Sequence, residues 1–317
     1  MIIINIELKN PINLNTLLDY YKYSNSEIIC KQIGYDDKIY ILLKNKIYKK
    51  RGKTIRETSN KSAYSTLILT LDWNRSELTE SKCINLGIYN KDFSKIQPIN
   101  NKILLVDVRC KYNKTFGPEK NAVIVDLNGN IIKRYCIGDG INDCIVNKKN
   151  EIITSYFDEG IFGSFNLKRP IGSSGLIIWN EKCEIIWKAD KNIYDCYAIN
   201  IDMHNNLWYC YVNDYNECLL CDNNNKDMPL IPEIKGIGKF LISNYNDEII
   251  VPGSLKGYTD FMTLKLKDNK VDNYTDLSLI YNEKNLLIKS WNAFKNKAIF
   301  TDSNNRLFIK EFNKINI

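Results

Sequence analysis

The oxygen-bearing side chains of this sequence recur in a few short, loop-like segments that could be brought to one site. Asp143 ends the stretch Ile137-Gly-Asp-Gly-Ile-Asn-Asp143, Asp158 and Glu159 follow in the segment 155–175, Asp195 stands in Tyr194-Asp-Cys-Tyr197, and Asn213-Asp214 come after the next apolar run. Carboxylates combined with loop carbonyls suit a hard divalent cation such as Ca²⁺, and Asp143, Asp158 and Glu159 are the candidate ligands. Two acids sharing a site can also have their pKa values driven apart for acid–base work. Arg109 would oppose these acids with a guanidinium, which grips a carboxylate or phosphate through two parallel hydrogen bonds. No cofactor other than such a cation is implied.

The segment 155–175 is the most distinctive in the chain. It carries Tyr156 and three phenylalanines, Phe157, Phe162 and Phe165, between Gly160, Gly163 and Pro170. Glycines permit sharp turns and close backbone approach to a ligand. Long loops with hydrophobic residues of their own are often functional. The plainer reading is a loop that packs its rings inward and leaves its acids in water.

Other chemistries are narrowed by composition. The single histidine, His204, lies in the turn Asp202-Met-His-Asn-Asn206, so a Ser-His-Asp or Cys-His mechanism would hang on that one residue. A zinc site with several histidines is excluded. The ten cysteines are scattered, and Cys218-Leu-Leu-Cys221 has no second CxxC to complete a knuckle. They read as reduced strand residues of a cytoplasmic protein, since Met1–Lys9 lacks the basic start of a signal peptide. No apolar run nears the roughly 20 residues that span a bilayer. The net charge of +7 is concentrated only at Lys44–Arg56. That run is read as a solvated loop, with phosphate or nucleic-acid binding as the lesser alternative.

The elements that must position these residues come from a repeat. Its unit is an apolar stretch, a turn of Asn, Asp or Lys, and a second apolar stretch, as in Cys144–Thr154, Ile199–Tyr209 and Phe240–Val251. Weaker copies are Ile28–Leu42, Ile96–Val106 and Trp291–Phe300. Turn residues that tolerate positive φ between β-branched and aromatic runs specify hairpins. A second hairpin follows most copies, at Ala122–Tyr135, Gly175–Trp187, Cys218–Lys226 and Phe261–Val271. Two hairpins per repeat make a four-stranded antiparallel blade. The second strands begin near Ile39, Ile103, Ile152, Leu207, Ile249 and Ala298, which matches blades of about 40 to 50 residues with loop insertions.

The sequence thus specifies an all-β fold, a six-bladed β-propeller in a single domain over 1–317. Residues 1–9 form a closing strand, 10–27 a connector with a short helix at Leu14–Tyr23, and 28–312 the blades. The last repeat stops one strand short, so Ile2–Leu8 is expected to complete it and close the ring. A β-sandwich is the alternative. Trp179, Trp187 and Trp208 are expected to pack between blades.

The hairpins at Asn147–Ile153 and Asp202–Trp208, with the turn at Val125–Gly129, resemble the broad family of six-bladed propellers that includes NHL-repeat and gluconolactonase-like proteins. The resemblance covers about residues 28 to 312 and implies the fold. Gluconolactonase-like members hold a divalent cation in the channel through Glu, Asn and Asp side chains, a set that has no residue-by-residue match here. The expected function is a non-enzymatic, monomeric binding module, presenting its channel mouth and the 155–175 loop to a protein or peptide partner. The contacts would come from Arg109, Asp143, Tyr156, Asp158, Glu159, Phe162, Asp195, Asn213 and Asp214. The alternative is a divalent-metal-dependent hydrolase, acting on a lactone or phosphoester, with carboxylate ligands in the channel.

Overall fold

One local device builds many of the hairpin turns. In Asn147-Lys-Lys-Asn-Glu151 the Asn147 Oδ1 accepts from the backbone N–H of Lys149 (2.9 Å) and Glu151 (3.0 Å), while its Nδ2 donates to the Glu151 carboxylate at 2.6 Å. Asn180 does the same with Lys182 and Glu184. Where the first residue is an acid the partner changes to a donor: Asn206 for Asp202, Arg306 for Asp302. The fourth residue of these turns is left-handed, at φ 59° for Asn150, 57° for Cys183, 65° for Asn205 and 57° for Asn305. Asn and Asp are selected at the first position because their short side chains replace ladder hydrogen bonds that the turn gives up. In the turn after Val125 the left-handed residue is Gly129, where an added Cβ would lie 2.5 Å from the Asn85 carbonyl oxygen. Only glycine fits.

The computed structural model describes residues 3–51, 54–163, 170–222, 226–230, 237–245, 247–253, 260–268 and 270–313, with the side chains of 48–51 and 54–60 left aside. The hairpins assemble into six sheets arranged as a propeller, five of them of four antiparallel strands and the blade-five sheet of six. Their inner strands, in chain order, are Glu27–Ile33, Lys95–Ile99, Ile141–Val146, Asp195–Ile201, Leu241–Ile242 and Ile288–Phe294. Blade one is long because its second and third strands, Ile39–Arg51 and Thr54–Asp72, stay paired out to Arg51 opposite Thr54. The described part of the basic run from Lys44 to Arg56, expected as a loop, is therefore paired β-strand.

The N-terminal segment closes the ring and divides the task. Ile12–Asn13, inside the stretch read as a connector, pairs antiparallel with Arg306–Glu311 and is the fourth strand of the last blade. Ile3–Glu7 instead runs parallel to Lys270–Tyr281 at the outer edge of blade five, Ile3 opposite Asp276 and Glu7 opposite Ile280. Between the two, Asn13 caps a helix at Leu14–Tyr20 by accepting from the N–H of Asn15 and Thr16. That cap fixes where the strand ends, and the helix buries Leu14 and Leu18 in the main core.

The core lies between blades. Phe261 of blade five packs edge-on against Trp291 (5.2 Å) and Phe300 (5.5 Å) of blade six. Trp179 and Trp208 are buried, as expected, but Trp187 keeps 38% of its surface on the outer strand of blade three. Side-chain amides tie inner strands across the ring: Gln32 donates to the Cys144 carbonyl (3.3 Å) and accepts from Ile96 N–H (2.7 Å), and Asn142 donates to the carbonyls of Cys196 and Tyr197. Among the described residues no helix is long and apolar enough to cross a membrane.

Candidate functional site

Every inner strand starts at the same end of the ring, so the loops that lead into the blades gather there with those joining second to third strands. In blade three the two loops interlock. Phe157 N–H donates to the Gly140 carbonyl at 2.9 Å, and a Cβ on Gly140 would lie 2.4 Å from the Gly160 nitrogen. Gly160 thus serves contact between two backbones rather than approach to a ligand, and a one-turn helix, Asp158–Phe162, seats on the loop before the blade.

Arg109, which follows the second strand of blade two, clamps this arrangement. Its Nε and Nη2 bind the two oxygens of buried Asp139 at 3.1 and 3.2 Å, and Nη1 donates to Glu159. The guanidinium also lies over the Phe157 ring, 5.6 Å from its centre. Desolvation opposes the Arg109 charge, but Glu159 and Asp139 outweigh it and raise its pKa. The expected opposition of Arg109 and the acids is realised for Glu159.

Asp158 of blade three and Asp195 of blade four interact electrostatically. Burial first, and then the Asp158 charge, push the Asp195 carboxyl up to about 6. Its Oδ1 is buried and meets no hydrogen-bond partner among the described residues. Beside these acids Phe162 and Tyr194 form an edge-to-face pair, 4.9 Å between centres, with 58% and 44% of their surfaces exposed. Phe165 lies outside the described residues.

The remaining expected site residues separate. Tyr156 is fully buried, its hydroxyl donating to the Ile137 carbonyl and accepting from Thr154 Oγ1 at 3.0 Å, so it holds the loop rather than a ligand. Asn213 spends its amide on its own turn, accepting from Tyr215 and Glu217 N–H and donating to the Glu217 carboxylate. Asp214 beside it is exposed.

Asp143 belongs to the channel, away from Glu159. It is 2% exposed and binds Lys95 at 3.5 Å and Lys239 more closely. Burial works to raise its carboxyl, but Lys239 and then Lys95 outweigh that and hold it below the ordinary value. The three candidate metal ligands are therefore engaged separately: Asp143 with lysines, Glu159 with Arg109, Asp158 beside Asp195. Among the described residues no three acids, histidines or cysteines group as a metal site.

Comparison with known proteins bears on the fold. No family model matches this chain, and no curated protein matches it. A chain in the crystal structure of the mitotic checkpoint complex is similar at a TM-score of 0.50 and 5% identity, over 90% of this chain and 87% of that one. Kluyveromyces lactis Hsv2 gives 0.47 at 10% identity, over 90% and 74%. The complex of KlAtg21 with the coiled coil of AgAtg16 gives 0.45 at 12%, over 79% and 77%. At 5% identity the first of these likenesses shows a shared architecture alone.

Sequence reasoning missed Asp139, Tyr194 and the channel lysines. Asp139 sits between two glycines and reads as a plain turn. A usable signal existed for two of the lysines: Lys95 and Lys239 each stand just before the apolar core of an inner strand. In a channel wall such positions face other blades rather than water.

Proposed function

We propose that this chain is a non-enzymatic binding propeller of the cytoplasm that presents the mouth of blades three and four to a protein or peptide, receiving a basic side chain there. The observation that carries the reading is Asp195, with one oxygen buried and unpartnered among the described residues, within the field of the Asp158 charge and next in sequence to Tyr194 of the exposed Phe162–Tyr194 pair. A lysine or arginine from a partner would satisfy that oxygen, relieve repulsion between the two acids, and gain cation–π contact with the rings. The ten free cysteines fit a reducing compartment.

The test is peptide-display selection on the whole chain, followed by affinities for wild type, Asp195→Asn and Phe162→Ala. Selected peptides should carry Lys or Arg, and either substitution should weaken them about tenfold or more. Peptides without a basic residue, or equal affinities in all three chains, would overturn the reading.

The hydrolase reading keeps one supporting observation, a carboxyl raised to about 6 beside a second acid, as a general base near neutrality requires. Its channel ligand Asp143 is already neutralised by two lysines, which compete with a cation. Thermal unfolding with EDTA and then with millimolar Ca²⁺, Mg²⁺ or Mn²⁺ separates the two. A metal-specific rise, lost in Asp158→Ala, would favour the hydrolase.

A further inference from the structure

Among the described residues, the channel gathers more positive charge than nearby carboxylates neutralise. Lys31, Lys95 and Lys239 line a cavity of about 250 Å³ together with Ser290, Thr301 and Trp291. Lys289 adds a fourth positive charge close to Lys31. The carboxylate paired with this group is Asp143, already shared between Lys95 and Lys239. Among the described residues no ion pair joins Lys31 to an acid. The nearby Cys30 thiol is pushed up to about 11 and Cys144 is also raised, both chiefly by burial, so neither supplies a counter-charge. Like charges held together away from water are unfavourable unless an anion joins them.

A second observation points into the same space. Thr301 is 1% exposed, and its Oγ1 has no hydrogen-bond partner among the described residues. A buried hydroxyl without a partner costs about 1–3 kcal/mol, so its presence on this wall calls for an acceptor in the cavity. The Ser290 side chain lines the same cavity.

From these groups we infer that the channel binds a small polyvalent oxyanion of the phosphate class. Three ammonium groups act as point charges on its oxygens, and the Thr301 hydroxyl donates a directed hydrogen bond. The cavity volume equals about eight waters at about 30 Å³ each, room for a pyrophosphate-sized ion with some hydration. Desolvation lowers the pKa of Lys31 and Lys239, and a bound anion would draw protons back to them.

Calorimetric titration of the full chain with inorganic phosphate, pyrophosphate and a short phosphoserine peptide tests this. Pyrophosphate should bind saturably, one per chain, and Lys31→Gln should weaken it about tenfold or more. Among the described residues Lys31 has no ion-pair partner to strand, so that variant should fold. Thr301→Val gives an independent check and should also weaken binding. Tighter binding of the free anion marks a diffusible ligand, and tighter binding of the peptide marks a phosphorylated partner. No saturable binding of any of the three probes, or equal affinity in wild type and both variants, overturns the site.

Discussion

Asn200 and Lys295 are joined by a reciprocal pair of hydrogen bonds that links blade four directly to blade six. The Asn200 Nδ2 donates to the Lys295 carbonyl at 3.0 Å, and its Oδ1 accepts from the Lys295 N–H at 2.7 Å. The same amide donates to the Phe240 carbonyl at the start of blade five and accepts from Ile201 N–H. Blade five has an inner strand of only two residues, Leu241–Ile242, so its neighbours are drawn together across it.

Replacing Asn200 with alanine should therefore act beyond its own blade. It orphans the Lys295 N–H and the Phe240 carbonyl, at about 1–3 kcal/mol for each buried group, so a loss of about 2–6 kcal/mol is expected. Asn200→Asp should be no better, because a carboxylate cannot donate to two carbonyls. Urea unfolding measures both, and a loss under about 0.5 kcal/mol, the range of ordinary surface substitutions, would show the link to be idle.

Arg109→Met should loosen the mouth. Asp139 keeps the Cys110 N–H (2.6 Å) but loses its guanidinium, and Glu159 is freed. The expected loss is about 1–3 kcal/mol, with faster amide exchange over 157–163. Unchanged exchange there would mean that the interlocked glycines alone hold the loop.

The Asp195 carboxyl titrates near 6 in the folded chain and at about 4 when unfolded, so the folded state holds its proton to the higher pH. Its contribution to stability is then greatest below about 4 and declines as pH rises to about 6. Asp195→Asn should remove that slope and raise the unfolding midpoint at pH 7. Unfolding curves between pH 4 and 7 decide it, and identical slopes in the two chains would rule the shift out.

The two N-terminal strands should separate by deletion. A chain without residues 1–9 keeps Ile12–Asn13 and should still unfold cooperatively. It bares the outer strand of blade five, Lys270–Tyr281, and should self-associate, because an uncovered edge recruits other strands. Leu14→Ala, at a fully buried position, should cost about 2–5 kcal/mol without association. Ultracentrifugation and chemical unfolding read the two effects apart, and a monomeric truncated chain would refute the edge argument.

Local physics made much of the fold legible. The turns at Asn147, Asp202 and Asn180 are settled within five residues by a side chain that bonds its own backbone, and that signal is written in the sequence. The alternation of such turns with β-branched and aromatic runs gave the hairpins, their pairing into blades and the number of blades. The short helix after Asn13 was legible for the same reason. Which N-terminal strand closes the ring was not, because Ile3–Glu7 and Ile12–Asn13 are both apolar enough to add to an edge. The choice depends on where the capped helix turns the chain.

The site was legible only in part. The segment 155–175 and its acids stood out by composition, and Arg109 and Glu159 do meet. The rest turned on distance through space. Asp143 looks like any loop acid until Lys95 and Lys239, far away in sequence, close on it. Asp195 acquires its raised carboxyl only when folding buries it and adds the charge of Asp158 from blade three. By itself, the sequence determined the units that short-range hydrogen bonds and alternating burial dictate. The tertiary structure alone decided which charges share a space, since closing the ring sets those distances and the water excluded from them.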